Sequence, residues 1–265
     1  MGSFLTPVML RTALEVGLIY AIVALSLFIS FSILNLCDLS TDGCFTLGCA
    51  VGAVVTMAGH PLLAIPAAML AGVLSGAVTA LLQTKLGVPS ILAGIIVNTG
   101  LYTVNLGVMG FSSNVSIFGT DTLFSLWGKL FDGTVLGDWS RSILLLILVA
   151  LICAALNWFL KTRIGLSIRA TGDSMEMVRA SSIDPSFMIV VGLCCSNALT
   201  GLAGSLFASY NKSADINLGT GMVTIALAAL IIGETLFGKR RMPVLLPVPL
   251  HDFDCAPLKR ADRGL

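Results

Sequence analysis

The chain has 265 residues and a formal net charge of +1. Hydrophobic residues make up 56% of it and charged residues only 11%, against roughly 25% charged in a soluble domain; the mean hydropathy is +0.97. Such a chain cannot clothe a water-facing surface in charge, and it lacks the basic footprint that nucleic acid requires. The composition is that of a protein that crosses a membrane several times.

The apolar runs read as helices, because a bilayer admits only helices or closed barrels and the short alternating strands of a barrel are absent. A span takes about 20 apolar residues. In chain order the segments are Val8–Asn35, Cys44–Ala58, Leu62–Leu82, Ser90–Gly110, Ser142–Leu160, Phe187–Ser209 and Gly221–Phe237. The expected fold is all-α, a polytopic transmembrane helical bundle with about seven apolar segments over residues 1–238. The first run is too long for the h-region of a cleavable signal peptide.

Within the first segment Glu15 admits two readings. An ionisable group inside a span is a functional residue by default, and Arg11, four residues earlier, offers a local ion pair instead. The second segment is short and follows Cys37-Asp38-Leu39-Ser40-Thr41-Asp42-Gly43. Either this is a solvated turn in which Asp38 or Asp42 caps the next helix, or it is a broken helix lining a pathway, where irregular backbone needs a cavity.

Between Gly43 and Thr120 the only formally charged side chain is Lys85. Small residues recur four apart at Gly48 and Gly52, Gly72 and Gly76, and Gly204 and Ala208; such pairs let helix backbones come close. His60, before Pro61, reads as a loop residue. In the fourth segment Asn98 and Asn105 lie nearly two turns apart and face the same way, as interhelical hydrogen bonds or as a polar stripe on a solute path. Thr99 and Thr103 flank that face. Asn197, midway along the sixth segment, is expected to bond a neighbouring helix, and Glu234 to lie at the interface.

Lys and Arg set the orientation. Residues 161–186 carry Lys161, Arg163, Arg169 and Arg179 and belong to the cytoplasm. Lys85 and the group Lys239, Arg240, Arg241 fall on the same side by counting crossings. Residues 111–141, with Asp121, Trp127, Asp132 and Asp138, then lie outside, as does the N-terminus. A polar turn with Asn211, Lys212, Ser213, Asp215 and Asn217 ends in Gly219-Thr220-Gly221. It echoes the Asp38–Gly43 stretch, as in transporters built from internal repeats.

The seven cysteines show no C-x-x-C and no His at metal spacing, so neither disulfides nor a zinc site are expected. The chain has no G-x-x-x-x-G-K-[ST] and no H-E-x-x-H or G-x-S-x-G with partners, so no cofactor and no catalytic residue is assigned. The cytoplasmic stretch mixes both charge signs, and Asp173 or Ser174 is placed to cap a short helix through Glu176 to Ala180.

Thr162, Arg163 and Gly165, followed by Arg169-Ala170-Thr171-Gly172-Asp173, resemble the coupling loop of ABC importer permeases of the branched-chain amino-acid and ribose type. Ile33-Leu34-Asn35-Leu36, Asp38 and Asp42-Gly43-Cys44-Phe45-Thr46-Leu47-Gly48 are similar to the same family. The latter form looks like a sub-branch associated with amino-acid uptake, aromatic amino acids among them. The likeness runs from about Leu14 to Gly238.

The resemblance implies cytoplasmic ABC ATPase subunits, an extracytoplasmic substrate-binding protein and a second permease copy as partners, in a bacterial inner membrane. It implies a coupling role for Arg169, Gly172, Asp173, Glu176 and Ala180. It also suggests a pathway role for Asn35, Asp38, Asp42 and Asn98, and the polar stripe adds Asn105. The solute would be an amino acid, with a sugar or nucleoside as the alternative; the rival mechanism is an ion-coupled secondary transporter using Glu15 or the Asp38/Asp42 pair. The departure is at residues 239–265, a polar tail with Pro243, Pro247, Pro249 and Pro257 where the family continues with helices. It reads as a truncated or frame-shifted end that is disordered.

Overall fold

The computed structural model describes residues 7–130 and 139–237. Helix α1, Pro7–Leu27, continues as a π-helical turn, Phe28–Ile33; α2 is Thr41–Met57, α3 Pro61–Thr84 and α4 Ser90–Val108. A short strand β1, Asn114–Ser116, and the amphipathic helix α5, Leu123–Leu130, precede α6, Ser140–Lys161. Then come α7, Arg163–Asp173, α8, Met175–Ala180, α9, Pro185–Asn211, strand β2, Ser213–Asp215, and α10, Met222–Phe237. Among the described residues five helices are long and apolar enough to cross a membrane: Val8–Ile33, Pro61–Thr84, Ser90–Val108, Ser140–Lys161 and Pro185–Asn211. Helix α2 and the Met222–Gly233 part of α10 are apolar but shorter.

Local chemistry explains the helix ends. Pro61 and Pro185 each occupy the first turn, where a missing N–H costs nothing. Asp184 caps α9 by accepting from the Ser186 N–H at 2.9 Å, and Lys212 stops it in the left-handed region at φ 54°. His60 stands in the short turn between α2 and α3, at the N-terminus of α3.

The core is the packing of α2, α3 and α9, closed by small residues. A Cβ on Gly48 would fall on the backbone of Gly201, one on Gly72 on the backbone of Asn197, and one on Gly204 on the Phe45 carbonyl. The recurrent small residues therefore bring helices of one chain together. Two cysteines thread the same seam: Cys44 Sγ lies 3.3 Å from the Asn197 carbonyl and Cys49 Sγ 3.2 Å from that of Gly204. These pairings run α2 parallel to α9, whereas the contacts of Gly72 with Asn197 and of Gly76 with Leu193 run α3 antiparallel. Ser26 of α1 adds bonds to Ser196 at 3.0 Å and Thr200 at 2.6 Å.

One sequence expectation needs correction. Residues 161–186, read as a loop with one short helix, form two helices, because Thr162 caps α7 by accepting from Gly165 N and Ser174 caps α8 by accepting from Met177 N. The fold is all-α as expected, with one small addition: β1 and β2 pair antiparallel, Val115 opposite Ala214. This pair links the segment after α4 to the turn after α9, a long-range contact that no local pattern announces. Asp132, Asp138, Lys239, Arg240, Arg241, the side chain of Glu234 and the whole tail lie outside the described residues.

The helix seam makes a direct prediction. Gly201→Leu would drive the Ala68 and Gly72 backbones of α3 away from α9 and destabilise the fold by roughly 1–3 kcal/mol or more. Gly100→Ala, with open space around it, would be neutral or better. Thermal stability of the detergent-solubilised protein, read by size-exclusion profile after heating, checks both.

Candidate functional site

A break in α-helical structure lies deep in the bundle. After Leu34 the chain leaves helix, and Asn35 takes φ 54°. It re-enters helix only at Thr41. Asp38 meets the middle of α9: Asn197 Nδ2 donates to Asp38 Oδ2 at 3.0 Å, and the Ser40 N–H and Oγ donate to Oδ1 at 2.9 and 2.6 Å. Helix α2 thus begins level with the middle of α9 and runs beside its second half. Helix α10 begins beside that start. Asp42 Oδ2 accepts from Gly221 N at 3.2 Å, Oδ1 accepts from Val223 N at 2.8 Å, and Thr46 Oγ1 accepts from Gly219 N at 3.1 Å. Two short apolar helices therefore share one point of origin, the arrangement that transporters use for solute sites. The two polar-then-glycine stretches that echo each other in sequence are the two that meet here.

Beside this junction lies a polar pocket of about 330 Å³. Asp42, Gly43 and Thr46 form one wall, Asn98, Thr99, Tyr102 and Asn105 of α4 another, and the segment 216–220 the third. Asn105 Nδ2 donates to the Gly43 carbonyl at 3.2 Å, and its buried Oδ1 has no partner among the described residues. Thr99 Oγ1 donates to Ile95 O at 2.9 Å, so its oxygen can still accept. Among the described residues Asp42 is the only charged side chain on the wall. The remaining polar side chains are hydroxyls and amides, which suit a small solute with several donors and acceptors.

Of the pathway residues read from sequence, the structure brings Asp42, Asn98 and Asn105 together and places two elsewhere. Asp38 is only 2% exposed and braces Asn197, whose Nδ2 bonds this non-helical stretch rather than a neighbouring helix. Asn35 lies at the far end of α1, where Nδ2 donates to the Gly172 carbonyl of α7 at 2.9 Å. Tyr102 joins the site without having stood out in the sequence, although Asn98, Tyr102 and Asn105 follow the i, i+4, i+7 spacing of one helix face. Glu15 is held by Arg11 Nε at 3.1 Å and by Ser142 Oγ, which donates at 2.8 Å. This is the ion-pair reading, extended to α6.

The second assembly is built from α7 and α8. Ile168 and Thr171 anchor α7, and Val178 anchors α8. Gly172 lies against the Ile33 carbonyl, where no Cβ would fit. Asp173, Glu176 and Ala180 are exposed, as are Leu166, Met175 and Met177, while Arg169 is half-buried. Two short helices bolted to the end of α1 thus present a mixed apolar and charged face. Among the described residues no group of three or more His, Cys, Asp or Glu is placed to hold a metal ion.

Comparison with known proteins agrees with this anatomy. The family described as branched-chain amino acid transport system / permease component matches residues 9–243. The tyrosine transport system permease protein of Clostridioides difficile (strain R20291) is 35% identical over 224 residues, covering 84% of this chain and 72% of that protein. An uncharacterized protein of Rickettsia prowazekii (strain Madrid E) is 34% identical over 230 residues, covering 86% and 78%. The ribose import permease protein of Escherichia coli (strain K12) is 29% identical over 206 residues, covering 75% and 60%. No solved structure matches the chain. The chain belongs to the branched-chain amino acid transport system permease family, multi-pass permeases of ABC-type importers in the inner membrane.

Proposed function

We propose that this permease imports a small polar solute, an amino acid before a sugar, through the pocket between α2, α4 and residues 216–220. Uptake would be driven by ATPase subunits docked on α7 and α8. The observation that carries the reading is the junction of two short helices level with the middle of α9, beside the uncharged, amide-rich wall of α4. The amides and hydroxyls of that wall can both donate and accept, which suits the carboxylate and ammonium groups of a zwitterion. The transport named for the Clostridioides relative supports an amino acid. A sugar would use the same hydroxyls and amides, and the ribose permease makes it the alternative. An ion-driven mechanism loses support because Glu15 and Asp38 are both engaged in local bonds.

Nucleotide hydrolysis belongs to separate subunits, and an external binding protein would deliver the solute. A second permease copy would complete the pore. Residues 161–186 act as the coupling segment, with Arg169, Gly172, Asp173, Glu176 and Ala180 at its centre. Gly172 and Asn35 work through the α1 junction rather than at the docking face.

Two experiments test this. Asn98→Leu would remove a pocket amide and raise the KM for the imported solute about tenfold, measured by radiolabelled uptake into proteoliposomes with the ATPase and binding protein present. Uptake of ribose in preference to tyrosine would select the sugar alternative. Glu176→Lys with Met177→Asp would abolish co-purification of the ATPase while leaving the amount of permease in the membrane unchanged. Retained co-purification would refute the coupling assignment.

A further inference from the structure

We propose that Asp42 is a positioning residue. It fastens residues 216–221 and the start of α10 onto α2, so raising one wall of the pocket, and its charge does not read the solute. The inference rests on the pocket being the solute path.

Both carboxylate oxygens are already used. Oδ2 accepts from the Gly221 N–H and Oδ1 from the Val223 N–H. These lie at the start of α10, where N–H groups have no partner within the helix. One turn along α2, Thr46 Oγ1 accepts from the Gly219 N–H. The alternate residues 219, 221 and 223 are thus pinned to one face of α2, the i, i+4 face of Asp42 and Thr46. Gly219 lies so close to the Asp42 carbonyl that a Cβ would overlap it, which brings the segment directly onto the helix.

The charge is also accounted for. Asp42 sits in the first turn of α2 and against the first turn of α10, so two helix N-termini face one carboxylate, each favouring negative charge. Among the described residues no cationic side chain shares the pocket wall, and the carboxylate does not need one. Recognition then falls to Asn98, Thr99, Tyr102 and Asn105 on the opposite wall. Ile216, buried at 6% exposure, marks the docked position of the segment.

The test compares Asp42→Ala, Asp42→Asn and Thr46→Val in the full importer, each with and without Ile216→Cys. Asn keeps one of the two acceptor oxygens and turns a donor amide toward the other N–H, whereas Ala removes both acceptors. The proposal expects Asp42→Ala to raise the KM for uptake about tenfold and to expose the thiol introduced by Ile216→Cys to a membrane-impermeant maleimide. Thr46→Val, which changes no charge, should shift both readouts in the same direction by a smaller factor. Asp42→Asn, which keeps one of the two bonds, should fall between the parent and Asp42→Ala, with uptake and labelling shifting together. If Asp42→Asn impairs uptake as severely as Asp42→Ala while the introduced thiol stays protected, the charge acts on the solute and the proposal fails. It also fails if that thiol stays protected in both Asp42→Ala and Thr46→Val. Should Asp42→Ala not reach the membrane, Thr46→Val alone decides the question. Labelling of the introduced thiol reports the docking even where uptake is absent, so failure of the pathway reading is told apart from failure of this one.

Discussion

A chain that leaves the helix inside a bilayer must find a partner for every backbone N–H and C=O it bares, since hydrocarbon offers none. This chain does so twice, before α2 and before α10. Asp38 answers for the first break by accepting from Ser40 and Asn197. Asp42 answers for the second by accepting from Gly221 and Val223. Two carboxylates four residues apart therefore hold up the interior. They differ in kind. Asp38 is sealed among α2, α3 and α9, and Asp42 borders a cavity.

The breaks are possible because the helices around them touch backbone to backbone. Lipid supplies no hydrophobic drive between helices, so contact energy must come from packing and hydrogen bonds. Glycines at 48, 72, 201 and 204 remove the side chains that would keep α2, α3 and α9 apart. The rigid seam fixes Asn197, Asn197 fixes Asp38, and the chain leaves that point as α2 with Asp42 in its first turn. At the end of α1 the same logic repeats on a smaller scale. Gly172 lets α7 lie on the Ile33 carbonyl, and Asn35 clamps it there. Under the proposed coupling role, force applied to α7 would pass through this contact to the end of α1, which leads into the Asp38 break.

Much of this is legible in the sequence. Membrane insertion and the principal spans follow from apolar length and composition. The small-residue spacing points to helix packing, and Ser174 announces the cap of α8. The strand pair is not legible, because Val115 and Ala214 are far apart in sequence and each strand is three residues long. Helix α7 is hidden because its composition is polar and glycine-containing, and its stability comes from burial of Ile168 and Thr171 against other elements. The site is half legible. Asn98, Asn105 and Asp42 stand out as polar residues in apolar surroundings, whereas Asp38 and Asn35 stand out equally and lie elsewhere. Polarity marks a residue that needs a partner; only the fold shows whether that partner is a solute or another part of the chain.

The most direct measurement is the reactivity of Asn98→Cys in the assembled importer toward a small membrane-impermeant thiol reagent, with and without the transported solute. The pocket as solute path predicts that the cysteine reacts above the background of the native cysteines and that solute slows the reaction in a saturable way. A cysteine at this position that stays unreactive from both faces of the membrane, or whose reaction the solute leaves unchanged, would contradict it.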